Sequence, residues 1–211
     1  EVLALVGENG AGKSTLIKIL GGAHEADDGT LTMNDSRVTI QSPVESQALG
    51  ISIIYQEFNL IPDLSVRENI FLGREKMNGF FIDERSEMEG VTQLFERLGL
   101  PIDPDIPCGD LSIAEQQLVE IAKALSVEAK ILVMDEPSAT LTRQEVDRLF
   151  EIIKDLKKQG IGIIYISHRL EEVFEIGDRV MVLRDGQNVS TKQVAEVDRQ
   201  GLIESKVGRS L

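Results

Sequence analysis

The residues Gly7-Glu8-Asn9-Gly10-Ala11-Gly12-Lys13-Ser14 fit the pattern G-x-x-x-x-G-K-[ST] in full. Glycines at those places let the backbone wrap a phosphate closely, where side chains would clash or forbid the dihedrals required. The loop amides and the start of the following helix then aim partial positive charge at phosphate oxygens. Lys13 is expected to reach the β- and γ-phosphates of a nucleotide, and Ser14 to ligate Mg²⁺. The expected contact set is Gly7, Asn9, Gly10, Ala11, Gly12, Lys13, Ser14 and Thr15. A second group sits far along the chain, where the apolar run Ile131–Met134 ends in Asp135-Glu136. Two carboxylates at the carboxyl end of a buried strand lie where parallel α/β sheets bind ligands. Asp135 suits direct or indirect support of Mg²⁺, and Glu136 is placed to take a proton from an attacking water. His168 follows a further apolar run, Ile161–Ile166, and precedes a helix starting near Arg169, a position suited to a γ-phosphate contact. His24 has no comparable setting and reads as a loop residue.

The elements that must hold these residues are legible as alternating apolar runs and helical patterns. Val2–Val6, Ile51–Tyr55, Ile131–Met134 and Ile161–Ile166 are apolar on both faces, as strands are when helices cover both sides of their sheet. A helix over Leu16–Leu20 follows the glycine loop. Leu118, Ile121, Ala122 and Leu125 recur at helical spacing, and so do Val146, Leu149, Phe150 and Ile153, with Gly160 offering a stop. Capping boxes are expected at Ser42/Glu45, Ser65/Glu68, Ser112/Glu115 and Thr142/Glu145. The stretch 61–125 breaks the alternation and reads as a helical insertion, with a loop over Pro101–Asp110. After Arg184-Asp185-Gly186 the chain turns polar, and peripheral elements are expected. The fold class is therefore α/β, with a mainly parallel sheet, in one domain over 1–211. Its core is 1–60 and 126–190, its helical insertion 61–125 and its C-terminal tail 191–211.

Composition narrows the function. Lys and Arg number 22 against 36 Asp and Glu, a formal charge of −14, which disfavours nucleic acid and anionic membrane surfaces as general partners. Cys108 is the single cysteine, so neither an internal disulfide nor a multi-cysteine metal site can form. No apolar run approaches the ~18–20 residues of a spanning helix, and the expectation is a soluble, cytoplasmic chain. A chain that opens on Glu1 and almost inside a strand reads as a fragment with its N-terminal strands truncated.

In order, the glycine loop, Gln56 after a strand, Leu111-Ser112-Ile113-Ala114-Glu115-Gln116-Gln117, Asp135-Glu136-Pro137 and His168 resemble an ABC-transporter ATPase. The resemblance implies a P-loop NTPase (RecA-like) core, with ATP and Mg²⁺ as cofactors. It implies that Gln56 senses Mg²⁺ and the attacking water, and that Glu136, His168 and Gln56 form the catalytic set, with Ser14, Gln56 and Asp135 at the metal. Ser112 would bind the γ-phosphate held by a partner domain. Ile113, Ala114 and Glu115 depart from the common Leu-Ser-Gly-Gly-Gln, and Thr142 stands where the family often has an aspartate. The segments Leu111–Ser126 and Asn69–Glu75 are similar to the subgroup serving monosaccharide importers of ribose, xylose, galactose and arabinose type. There two ATPase halves are fused, and Val207-Gly208-Arg209-Ser210-Leu211 looks like the end of the first. The implied partners are a second ATPase half, membrane-spanning permease subunits contacted near Phe58, Leu60 and Ile61, and indirectly a sugar-binding protein. The implied location is the inner face of the cell membrane. The adenine-stacking aromatic of the family would lie upstream of Glu1. Other readings of the residues are a non-transport ABC ATPase and a half that binds ATP with little hydrolysis of its own. A guanine-reading Asn-Lys-x-Asp segment, which a switch GTPase needs, does not occur.

Overall fold

The computed structural model describes residues 1–207, so Gly208–Leu211, part of the segment resembling the end of a first half, lie outside the described residues. The chain runs β1 (Val2–Gly7), α1 (Lys13–Leu20), β2 (Leu31–Met33), β3 (Ser36–Val38), α2 (Pro43–Ala48) and β4 (Ile51–Ile54). There follow α3 (Val66–Phe71), β5 (Met77–Asn78), β6 (Phe81–Ile82), α4 (Glu84–Leu98) and α5 (Ile113–Leu125). Next come β7 (Ile131–Asp135), α6 (Arg143–Lys158), β8 (Gly162–Ile166), α7 (Leu170–Ile176), β9 (Arg179–Arg184), β10 (Gln187–Gln193) and α8 (Arg199–Val207). Six strands form the main sheet in the order β10-β9-β1-β8-β7-β4, all parallel except β10. β1 is therefore central, and the segment after it opens between strands from late in the chain.

Period-two alternation assigns the two sheet faces. Leu5, Val133 and Ile166 point to a cluster with Ala11 and Ile17, beneath α1. Ala4 and Val6 point the other way, to Leu170, Val173 and Leu202 of α7 and α8. Leu132, Met134, Ile163 and Tyr165 face α6, whose Val146, Leu149, Phe150, Ile153 and Leu156 are all buried. Each such side chain contributes about 1.5–3 kcal/mol by leaving water. Helices α3, α4 and α5 share this last cluster through Val66, Ile70, Val91, Phe95 and Val119. Residues 61–125 thus pack on the sheet rather than enclose a separate core.

The caps form largely as the sequence pattern predicts. Ser65, Ser112 and Thr142 each close a reciprocal box with Glu68, Glu115 and Glu145. At α2 the box is only half made. Ser42 accepts from the Glu45 amide, but the Glu45 carboxylate takes the Gln41 N–H instead of that of Ser42. Four features have no counterpart in the sequence reading: the β2–β3 hairpin, strand β9 beside β1, the small β5–β6 hairpin, and the depth at which Leu202 anchors α8. The boundary expected after residue 190 falls inside β10. No helix among the described residues is long and apolar enough to cross a membrane.

Candidate functional site

Strand register sets out the site before any side chain is considered. Leu5, Ile166 and Asp135 stand level across β1, β8 and β7, and Ile54 of β4 is level with Met134. The carboxyl ends of four adjacent strands therefore present Gly7, Ser167-His168, Asp135-Glu136 and Tyr55-Gln56 along one edge of the sheet.

At β1 the chain leaves the sheet through the glycine loop. A Cβ on Gly7 would stand 2.6 Å from the Leu183 carbonyl oxygen, so only glycine lets β9 come this close. Gly12 precedes α1 with φ of 102°, and no side chain caps that helix. The first amides of a helix have no intrahelical partner. Those of Lys13, Ser14 and Thr15 are thus left without a side-chain cap, whereas in α3, α4, α5 and α6 a Ser, Asp or Thr side chain accepts from one first-turn amide. Ser14 and Thr15 are exposed, as are Glu8, Asn9 and Gly10, while Ala11 is buried beneath the loop. The Lys13 ammonium donates to the carbonyls of Gly7 (2.9 Å) and Glu8 (3.0 Å), placing its charge inside the curl of the loop.

Across from it, Glu136 has a left-handed backbone (φ 49°), and its amide donates to Ile166 O at 3.0 Å. That conformation costs a non-glycine residue roughly 1–2 kcal/mol, and such strain concentrates at functional positions. Glu136 Oε2 lies 3.2 Å from His168 Nδ1. A cleft of about 930 Å³ opens over this pair, lined by Gly7, Glu8, Asn9, Glu136, His168 and the α8 residues Arg199 and Lys206, among others. Burial pushes the Asp135 carboxyl above the usual range, the Glu136 charge adds to this, and Lys13 opposes it. Burial likewise lowers Lys13; Glu136 and Asp135 counter that, and Lys206 reinforces it. The Tyr55 phenol is raised by burial and then by the charge of Asp135.

Gln56 is exposed at the end of β4 and is not part of the cleft. The segment beyond it is fastened to the insertion instead. The Asn59 amide donates to Glu120 (2.7 Å), and its carbonyl accepts from Lys123 (3.0 Å), both on α5. Two residues on, Asn69 of α3 pairs with both backbone groups of Ile61 (2.7 and 2.9 Å). Ser112 lies apart at the start of α5, where its hydroxyl is occupied by the capping box with Glu115.

Several residues lay outside the sequence reading. Asp185 and Gly186, seen there only as a turn, both take positive φ (51° and 76°), as a two-residue hairpin requires. The turn donates the Gly186 amide to Ala11 O at 3.0 Å and so supports the phosphate loop from behind. Arg169 bonds the segment after Glu136, and its place beside His168 was the one available signal. For Arg199, ion-paired with Glu171, and for Lys206, no local pattern pointed to the cleft.

Solved structures share this architecture. The chain superposes on the ADP conformation of an ATP-binding cassette of an ABC transporter with a TM-score of 0.85 and 29% identity, over 99% of this chain and 88% of that one. A nucleotide-free cassette from an ABC transporter gives 0.84 and 29%, over 99% and 85%. Among curated relatives, the "Putative ribose/galactose/methyl galactoside import ATP-binding protein 1" of Agrobacterium fabrum is 50% identical across all of this chain and 42% of its own length. The "Ribose import ATP-binding protein RbsA 1" of Rubrobacter xylanophilus is 51% identical over the same shares. The chain thus spans about two-fifths of the length of the relatives it matches. The sequence profile described as "ABC transporter" matches residues 1–139, and with the cassette fold and the phosphate loop at its centre, the chain belongs to the ABC transporter family.

Proposed function

We propose that this chain is an ATP-binding and ATP-hydrolysing domain that energises the import of a monosaccharide. The observation that carries the reading is the pairing of an uncapped α1 and inward Lys13 with the Glu136–His168 contact 3.2 Å apart. Backbone amides of the loop and Lys13 would hold the β- and γ-phosphates. Glu136 would accept the proton of the attacking water, with His168 orienting the carboxylate and reaching toward the terminal phosphate. Gln56, at the same strand edge, would sense Mg²⁺ and the attacking water. The sugar-import part rests on the relatives' names and the similarity of Leu111–Ser126 to that subgroup.

Mg²⁺ fits the residues present. Ser14 offers a hydroxyl and Asp135 a half-buried carboxylate, both hard oxygen donors, and Gln56 an amide oxygen. Among the described residues no three His, Cys, Asp or Glu form a metal cage. Mg²⁺ commonly needs only one or two carboxylates, with phosphate supplying the rest. When bound, it would neutralise charge on the phosphates.

As proposed partners, a second ATPase half would have the γ-phosphate it holds met by Ser112 of this chain, and permease subunits would meet 61–125 near Phe58, Leu60 and Ile61. A location on the inner face of the cell membrane goes with that assembly, as does an indirect link to a sugar-binding protein. The test is Glu136→Gln in the full-length polypeptide. It should retain ATP affinity and lose turnover by about a hundredfold or more, since an amide takes no proton. Unchanged turnover would remove Glu136 from the chemistry.

A further inference from the structure

Beneath the Glu136–His168 pair lies a hydrogen-bonded group that the proposed chemistry does not use. Glu172 of α7 is 3% exposed. Its Oε2 accepts from the Tyr165 hydroxyl at 2.9 Å and from Ser167 Oγ at 2.7 Å, and its Oε1 lies 3.4 Å from Arg169 Nη1. Burial, and then the neighbouring Glu172 charge, raise the Tyr165 phenol, so it remains a donor. The Arg169 amide donates to Ser167 Oγ at 3.0 Å, closing the turn that carries His168. The same guanidinium crosses to the other strand end. Nη1 donates to Ser138 O and Nη2 to Ala139 O, each at 3.3 Å. Ser138 is itself buried, and the Ala139 amide returns to Glu136 O at 3.1 Å.

We infer that Arg169, seated on the buried carboxylate of Glu172, is a positioning residue for the Glu136–His168 pair, tying the segment after Glu136 to the turn that holds His168. The left-handed backbone of Glu136 persists only where its surroundings over-determine it. Three restraints do so here: the Glu136 amide on Ile166 O, the Ala139 amide on Glu136 O, and the guanidinium on the carbonyls of Ser138 and Ala139. A planar fork with five donors can serve two carbonyls and a carboxylate together; an ammonium on a flexible stem cannot span them.

The inference rests on the reading of Glu136 as the base, and the experiment separates the two. In the full-length polypeptide, Arg169→Lys is compared with wild type, Glu136→Gln and Arg143→Ala. The last deletes an exposed bridge from α6 to Glu175 of α7 and serves as a purely structural control. ATP-binding stoichiometry is measured for each, so that kcat is expressed per competent site. Arg169→Lys should lower kcat per site about tenfold or more, because small misplacements of reacting groups cost factors of this order or larger. KM and ATP affinity should stay within about twofold, as the phosphate loop is untouched, and Arg143→Ala should match wild type. A loss confined to the number of binding sites, with kcat per site unchanged, would overturn the positioning role. Glu172→Gln gives a second line. It retains acceptors for Tyr165 and Ser167 and removes the counter-charge, and a kcat per site equal to wild type there would also count against the inference. Should Glu136→Gln itself keep its turnover, the base assignment fails and the positioning role with it.

Discussion

At the scale of single residues, the site holds charges that folding by itself disfavours. Asp135 binds its proton more tightly than an unfolded aspartate because burial and Glu136 both oppose its ionisation. A raised carboxyl pKa contributes stability that is fully present below the unfolded value and is lost as pH rises through the folded one. That contribution is lost on the alkaline side of the raised value, where Asp135→Asn should stabilise the nucleotide-free protein. A melting-temperature gain of about 2–4 °C corresponds to roughly 1 kcal/mol in a chain of this size. The gain should shrink as pH falls through the ordinary carboxylate range. Melting curves across that range check it, and a variant less stable than wild type on that alkaline side would contradict it. The same variant should lose Mg²⁺-dependent turnover, a trade of activity for stability common where a site is built for a ligand.

Helices and their caps allow a structural role to be separated from a chemical one. Ser65 and Ser112 close the same reciprocal box at the starts of α3 and α5. Replacing either by Ala should cost about 1 kcal/mol of stability. If Ser112 also meets the nucleotide of a partner domain, Ser112→Ala alone should depress turnover, beyond what Ser65→Ala does at equal stability. Equal activities of the two would leave Ser112 as a cap and nothing more. Much of this scale was legible in the sequence. Strands β1, β4, β7 and β8 are short apolar runs buried on both faces, and capping spacing located all four helix starts, with only the Ser42 box left half made. What escaped notice depends on long-range pairing. β9, Arg-Val-Met-Val-Leu-Arg, is bracketed by arginines and is recognised as a strand through its register with β1. The Asn59 anchor on Glu120 and Lys123 joins residues about sixty apart, and no local pattern reports it. The phosphate loop and the Asp135-Glu136 pair were visible because their types and spacing are local. Arg169's grip on Ser138 and Ala139 was not, since it exists only once β7 and β8 lie side by side.

For the whole molecule, the distance between Ser112 and the cleft matters most. None of the residues lining that cleft comes from α5. If the site closes on a partner's Ser112, isolated copies of this domain must first associate, each with a formal charge of −14. Like charges slow such association at low salt. Specific activity should therefore rise with protein concentration over a hundredfold dilution series, and more steeply at low ionic strength. A rate strictly proportional to protein would place a complete site within one copy.

The central position of β1 also has a consequence in time. Val2 pairs with Ile163, Gly7 lies against Leu183, and the loop after it rests on Gly186. A ribosome making ~5–20 residues per second delivers those neighbours on the order of ten seconds after the glycine loop has emerged. Throughout that interval the nascent chain holds the whole phosphate motif without β8, β9 or the Asp185-Gly186 turn that flank and support it. Nucleotide capture is therefore expected only once β8, β9 and the Asp185-Gly186 turn have been made. Chains stalled before residue 160 should not retain a fluorescent ATP analogue, whereas chains stalled beyond β10 should.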